Sequence, residues 1–468
     1  MNKALLSIVA TSVTLAACVT TTPSKTGQAQ AAIYAGFPIT VKNYTGKEIH
    51  SEAYTGQMAR HILHTSAKKL VSEGASLEQT KAYFNSKDPG RIIISPVSKD
   101  DFPVLQMHVD EISKGKDLSG KAYKGLISGM PGNLTGAELL DLMLEKAAAT
   151  DKGFDPLTGY DYTQLISKFT MGAVFYNQAV DNYLDEKLGA DVHSNSGAYK
   201  KGKAYTGKEH VWDEGFGYFG APAHTMELTA AEVYGIAKQK ADSFAKADYN
   251  NDGKVSLVTE MAYAHAYYAA SFDKGGKTTY LHTIVQAFLD GRNLISSANG
   301  DALTDDQRSK LMGYAQVIKI QWQRLIAEAV FKYAGSVYGD IVKLEATIEA
   351  NGDAVKIYRA YAKHWGELKG FALSLEAGGV NLGETGVNMN RLIGYSPVLL
   401  GNTQVAALVG GEFVQSSSVS LSEYRVQMIK LQKLMIDDFG VEARNKDVTA
   451  NLAQLVDSLG EATAAEND

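Results

Sequence analysis

Apolar residues recur at i, i+3 and i+4 through most of the chain beyond residue 50, and that spacing restricts the fold to helices packed on helices. In QMARHILHTSAKKLV it places Met58, His61, Ile62 and Leu70 near one face. TGAELLDLMLEKAAA and DYTQLISKFTMGAVFYNQAVDNYLDEKL continue it. Helix starts are marked by Thr-x-x-Glu/Gln boxes at Thr229 with Glu232 and Thr304 with Gln307, whose side chains satisfy each other's free backbone N–H groups. Asn351-Gly352 ends the long helical stretch that begins near 305. Strand-like runs are few, RIIISPV (91–97) being the clearest. The expected body is all-α with irregular inserts.

The N-terminus reads as an export signal. Lys3 precedes an apolar run too short to cross a bilayer, then Leu15-Ala16-Ala17-Cys18. This string resembles the bacterial lipobox, which implies lipidation at Cys18 and a membrane lipid anchor. Val19 after the cysteine points to an outer-membrane lipoprotein facing the periplasm or the cell surface. Cys18, at the end of the 1–18 signal segment, is the only cysteine, so no internal disulfide can form. Residues 19–50 are rich in Thr, Ser, Gln, Gly and Lys and read as a flexible tether. Residues 51–445 form the helical domain, and 446–468 a C-terminal helix and tail. A formal charge of −6 gives no electrostatic reason to expect nucleic acid.

The domain reads as two pseudo-repeat halves, about 51–300 and 301–445, a duplicated helical bundle. AVFYNQAVDNYL begins at Ala173 and AVFKYAGSVYGDI at Ala329. Each is followed by a Trp-x-Glu-x-x-Gly-aromatic string, through Trp212, Glu214 and Gly217 in one and Trp365, Glu367 and Gly370 in the other. Each string carries a histidine. His210 lies three residues before Asp213 and four before Glu214, and His364 three before Glu367. On a helix these spacings put imidazole and carboxylate on one face, one turn apart. Two such helices facing each other offer nitrogen and oxygen ligands suited to iron, zinc or manganese. The same pairs serve equally as hydrogen-bonded packing knots under flanking tryptophans.

GYDYTQLISKFTMGAVFYNQAVDNYL, YTGKEHVWDEGFGYFG, DYNNDGKVSLVTE and HWGELKGFALSLE, in that order, resemble a bacterial lipoprotein family known as a domain of unknown function, over most of residues 50 to 440. That family is similar to the imelysins, periplasmic helical proteins tied to iron acquisition and marked by Gly-x-His-x-x-Glu on a helix. His364 and Glu367 match the end of that mark, while Ala362 stands where its glycine would be. The resemblance implies capture of iron or an iron complex; an outer-membrane transporter or an envelope glycan would partner the alternative, a helical scaffold.

DYNNDGKVSLVTE (248–260) has the rhythm of an EF-hand-like calcium loop. Asp248, Asn250 and Asp252 alternate, Gly253 permits the sharp turn, Lys254 offers its carbonyl, and Ser256 holds the ligand-or-water position. The closing glutamate is displaced by one residue. Thr259 occupies the twelfth position and Glu260 the thirteenth, so either Glu260 closes a longer loop or the shell stays open. His61 and His64 read as a polar helix face, and His265 and His282 as hydrogen-bonded core histidines. No nucleophile or phosphate-loop motif occurs. Binding rather than catalysis is the expected work: transition-metal handling through His210, Asp213, Glu214, His364 and Glu367, with structural calcium. The alternative is a calcium-stiffened helical scaffold.

Overall fold

Side-chain caps define where the helices start. Six of them open on Ser or Thr with Glu or Gln three residues on, each closing a reciprocal capping box: Ser76, Thr135, Thr206, Thr229, Thr304 and Ser420. The computed structural model describes residues 31–189 and 192–452. Cys18 and the tail beyond residue 452 therefore lie outside the described residues.

The elements run α1 (Thr55–Glu73), α2 (Leu77–Phe84), α3 (Val109–Ile112), α4 (Gly136–Ala148), β1 (Phe154–Asp155), β2 (Tyr160–Asp161) and α5 (Tyr162–Thr170). They continue with α6 (Gly207–Phe219), α7 (Ala230–Ala237), α8 (Phe244–Ala247), α9 (Ala264–Asp273), α10 (Tyr280–Ser297), α11 (Asp305–Glu349), α12 (Val355–Glu376) and α13 (Gly383–Ile393). A hairpin, β3 (Thr403–Val409) and β4 (Glu412–Ser417), precedes α14 (Leu421–Phe439). The fold is mainly helical, as the periodicity requires. Among the described residues no helix is long and apolar enough to cross a membrane.

The 45-residue α11 packs along α12, α14, α10 and α9, and its middle turns, from Leu325 to Ala334, are almost wholly buried. Opposite it, α5 lies against α12, α4 and α1. Beyond Thr170 its chain continues in wider i→i+5 turns over Met171–Tyr176 and Gln178–Tyr183. Small residues let α5 and α12 approach closely. A Cβ on Gly172 would fall 2.2 Å from Ser374 Cα, and one on Gly370 would fall 2.5 Å from Lys168 Cβ.

Three expectations need correction. Residues 31–40, counted with the tether, are packed: Tyr34 and Phe37 are buried, and Tyr34 N–H donates to the Ala223 carbonyl. Aromatic side chains gain more from burial than a short polar segment gains from staying solvated. RIIISPV forms only an isolated bridge, Ile92 to His108, while the true hairpin turns at Gly410-Gly411, both at positive φ. Its Gly-Gly pair was the available signal. The run ELTAAEVYGIAKQKADSFAKA (227–247) reads as one helix leading into the acidic loop, but it breaks after α7, where Gln239 adopts φ 46°. Of the expected C-terminal helix and tail, 446–468, residues 446–452 are described, and Thr449–Asn451 form a 3-10 turn.

Candidate functional site

On α6 the YTGKEHVWDEGFGYFG string divides its side chains between two environments. Asp213 Oδ1 accepts from Arg292 Nε at 2.9 Å and from Tyr34 OH at 2.8 Å, and Oδ2 accepts from Ala53 N–H at 3.0 Å. Glu209 Oε1 accepts from Arg292 Nη1 at 3.0 Å and from Thr40 Oγ1 at 2.9 Å. Arg292, Glu209 and Asp213 are fully buried, so this is a closed ionic lock joining α6, α10 and the N-terminal segment. Burial pushes the Asp213 carboxyl up to about 7, against the opposing pull of the guanidinium. Both Asp213 oxygens are thus engaged in this lock.

His210 faces another way. It lies between the rings of Tyr199 and Tyr205, centroids 3.9 and 5.2 Å away, with Nε2 3.6 Å from Glu214 Oε2. Glu214 also accepts from Gln57 Nε2 at 2.8 Å. Burial lowers the imidazole to about 4, so it is neutral at physiological pH.

On α12, His364 and Glu367 separate in the same manner. His364 Nδ1 bonds Asp340 Oδ2 of α11, while Glu367 Oε1 accepts from Tyr333 OH at 3.0 Å. The α6 and α12 sets share no partner. Among the described residues no three His, Cys, Asp or Glu side chains converge to hold a metal ion. Trp212 donates to the Phe288 carbonyl and Trp365 to Tyr424 OH, so both act as core packing.

The acidic loop curls on itself. Asp248 accepts from the N–H groups of Asp252 and Gly253, Asn250 Oδ1 from that of Asp252, and Asp252 from that of Lys254. Glu260, 3% exposed, reaches back to the N–H groups of Tyr249, Asn250 and Ser256. Ser256 Oγ accepts from Val258 N–H, Gly253 sits at φ 85°, and Val255 pairs with the 103–105 segment. Of the two alternatives for the closing residue, Glu260 is the one folded over the loop. Its carboxyl is pushed up by burial, the three N–H bonds opposing. The side-chain donors are all oxygen, the chemistry a hard cation takes.

Glu367 leads to the feature that the sequence did not expose. It is the one carboxylate lining a cavity of about 350 Å³ walled by α1, α5, α9, α11 and α12. Four lysines face it: Lys68, Lys168, Lys238 and Lys363. Lys238 and Lys363 are exposed, Lys68 is half-buried, and Lys168 is 4% exposed along its side chain. Tyr267, Tyr268 and Tyr333 form an aromatic wall, with Tyr268 OH 3.3 Å from Tyr333 OH. Lys168 Nζ lies 3.9 Å from Glu367 Oε1 and 5.5 Å from the Tyr268 ring centre. Burial and the adjacent Lys68 ammonium hold the Lys168 amine well below its ordinary range, and burial lowers Lys68 as well.

Four amines against one carboxylate leave the wall short of negative charge. Two further lining atoms, His64 Nδ1 and Gln164 Oε1, are buried without a hydrogen-bond partner. His64 Nε2 is spent on the Ser167 carbonyl at 2.9 Å. His61 and His64 are thus buried rather than a polar face, and His265, 0% exposed, has neither ring nitrogen bonded. His282 does bond, to the Leu228 carbonyl. The overlooked hint was Lys168 itself: every residue of α5 is buried, so a lysine there cannot be a solvated one.

Residues 145–327 match a family described as a domain of unknown function (DUF4856). The matched span holds α5, α6, the acidic loop, α9 and α10, with the pocket residues Lys168, Lys238, Tyr267 and Tyr268. Neither a curated protein nor a solved structure matches the chain.

Proposed function

We propose that this chain, which carries the DUF4856 domain over residues 145–327, is a binding protein that captures a small polyanion in the lysine- and tyrosine-lined cavity. The observation that carries this reading is the four-to-one excess of amines over carboxylates in a partly desolvated cavity. An entering anion supplies what the wall lacks, and charge-assisted hydrogen bonds to it strengthen as water leaves. The tyrosines add apolar contact and hydroxyl donors. Iron enters this proposal as an anionic chelate, held through its chelator by the lysines, instead of as an ion ligated by His210 and His364. The envelope location and the lipid anchor at Cys18 belong to the same proposal, since capture of a scarce ligand suits a tethered binding protein. The related strings fall on the wide turns after α5 with α6, and on α11 with α12, which supports descent from a duplicated unit.

Titration calorimetry with citrate and with ferric citrate tests the reading. Citrate binds the wild type and weakens with added salt, because exposed charges contribute. Lys68→Met and Lys363→Met each reduce affinity about tenfold, the equivalent of 1.4 kcal/mol. Tighter binding of ferric citrate than of citrate identifies a chelate as the preferred cargo. No binding of either overturns the proposal and returns the helical scaffold.

Calcium in the 248–260 loop is the second part of the proposal, supported by the oxygen donor set of Asp248, Asn250, Asp252 and Glu260. The ion would supply a positive centre drawing these oxygens together, and Met261–Ala264, directly after the loop, line the cavity. Calcium at ten times its Kd raises stability by about 1.4 kcal/mol, read as a rise in Tm over the chelator-treated protein. Asp252→Ala, at an exposed position, abolishes the rise and leaves the calcium-free Tm unchanged. An equal rise in the variant sinks the assignment.

A further inference from the structure

We propose that Lys168 forms a Schiff base with the carbonyl group of an anionic 2-oxo acid bound in this cavity. The inference rests on the anion-capture reading and names the substrate class for it.

Position supports it first. The Lys168 side chain is buried, ends in the cavity, and has one carboxylate within 4 Å, Glu367 at 3.9 Å, beyond hydrogen-bonding distance. Lys68, on α1, lines the same cavity and is the less buried of the two amines. Burial first, and then the Lys68 charge, press the Lys168 amine toward its neutral form. A buried neutral amine beside a fixed cation is the arrangement that activates lysine toward carbonyl carbon.

The remaining wall supplies the other parts. Lys68 and the mouth lysines Lys238 and Lys363 take the carboxylate of the 2-oxo acid and bring its carbonyl to the Lys168 nitrogen. The nitrogen lone pair attacks the carbonyl carbon, the C=O π pair passes to oxygen, and oxygen takes a proton as nitrogen releases one, giving a carbinolamine. The oxygen then takes a second proton and leaves as water with its bonding pair, while the nitrogen lone pair forms the carbon–nitrogen double bond and its remaining proton departs. Nothing is oxidised or reduced, and the net change is loss of one water. Glu367, hydrogen-bonded to Tyr333 OH at 3.0 Å, is placed to pass these protons.

The test uses pyruvate as the probe and borohydride to trap the imine as N-(1-carboxyethyl)lysine, mapped by peptide mass spectrometry on the wild-type protein. An ordinary surface lysine carries on the order of one part in a thousand free amine at neutral pH. Lys168 is therefore modified at least about tenfold more than any other lysine, and saturating citrate suppresses the modification. Lys168→Met, which keeps an unbranched side chain of similar length without the amine, loses the adduct, and the wild-type map still decides if that variant fails to fold. Modification spread evenly over surface lysines, or none at Lys168 while citrate binds in calorimetry, overturns the Schiff base and leaves anion capture standing. Absence of both adduct and citrate binding removes both readings.

Discussion

Arg292→Met is expected to cost about 4 kcal/mol of folding stability at pH 8, the largest effect of any single substitution considered for this chain. The guanidinium is wholly buried and spends its donors on Asp213, Glu209, Ser296 Oγ and Ser51 Oγ. Removing it strands two carboxylates in a space without water, and an uncompensated buried charge is far costlier than a lost surface pair. The pH dependence gives the prediction its sign. Burial already holds the Asp213 carboxyl at about 7, against 3.8 ordinarily, so the native state keeps a proton that the unfolded chain releases. That contribution is fully present below about 3.8 and is lost as pH rises through about 7. Without the opposing guanidinium the carboxyl rises further, and Arg292→Met loses distinctly less at pH 5 than at pH 8. Urea denaturation at both pH values measures this. A deficit under about 1 kcal/mol, or one indifferent to pH, would show that the lock is not carrying charge.

The second large effect is steric. Gly172→Ala places a methyl 2.2 Å from Ser374 Cα and 2.3 Å from its Cβ, so the wide turn after α5 must part from α12. Overpacking of a close helix contact costs about 3 kcal/mol. The same interface seats Lys168, whose Cβ is 2.5 Å from the position a Gly370 Cβ would take, so citrate affinity falls with stability. Adding Ser374→Gly restores only part of the loss, since the Ser374 Cα remains in the way. Gly313→Ala on exposed helix surface, where nothing lies within 4 Å, gains about 0.5–1 kcal/mol from helix propensity alone. Chemical denaturation of the three variants checks the series, and a neutral Gly172→Ala would refute the close approach.

Much of the local architecture was legible because its determinants are local. The Thr229–Glu232 and Thr304–Gln307 boxes are three residues apart, and the structure caps α7 and α11 with them. His210 and Glu214 do share one face of α6, as a spacing of four residues demands. The spacing said nothing of what lay across from that face. Asp213 is bound by an arginine 79 residues away, and Tyr34, assigned to a tether, completes its shell.

The sequence by itself determined the helices, their caps and the alternating oxygens of the 248–260 loop, all consequences of interactions within one or two turns. Only the tertiary structure decided which titratable groups meet. His364 turned to Asp340 on α11, Glu367 to Tyr333, and lysines from α1, α5 and α12, with one just beyond α7, converged on a single cavity. A lysine read along a helix is a solvated charge by default. Lys168 became a desolvated amine because α12, through Gly370 and Ser374, packs tightly enough on α5 to exclude water from it.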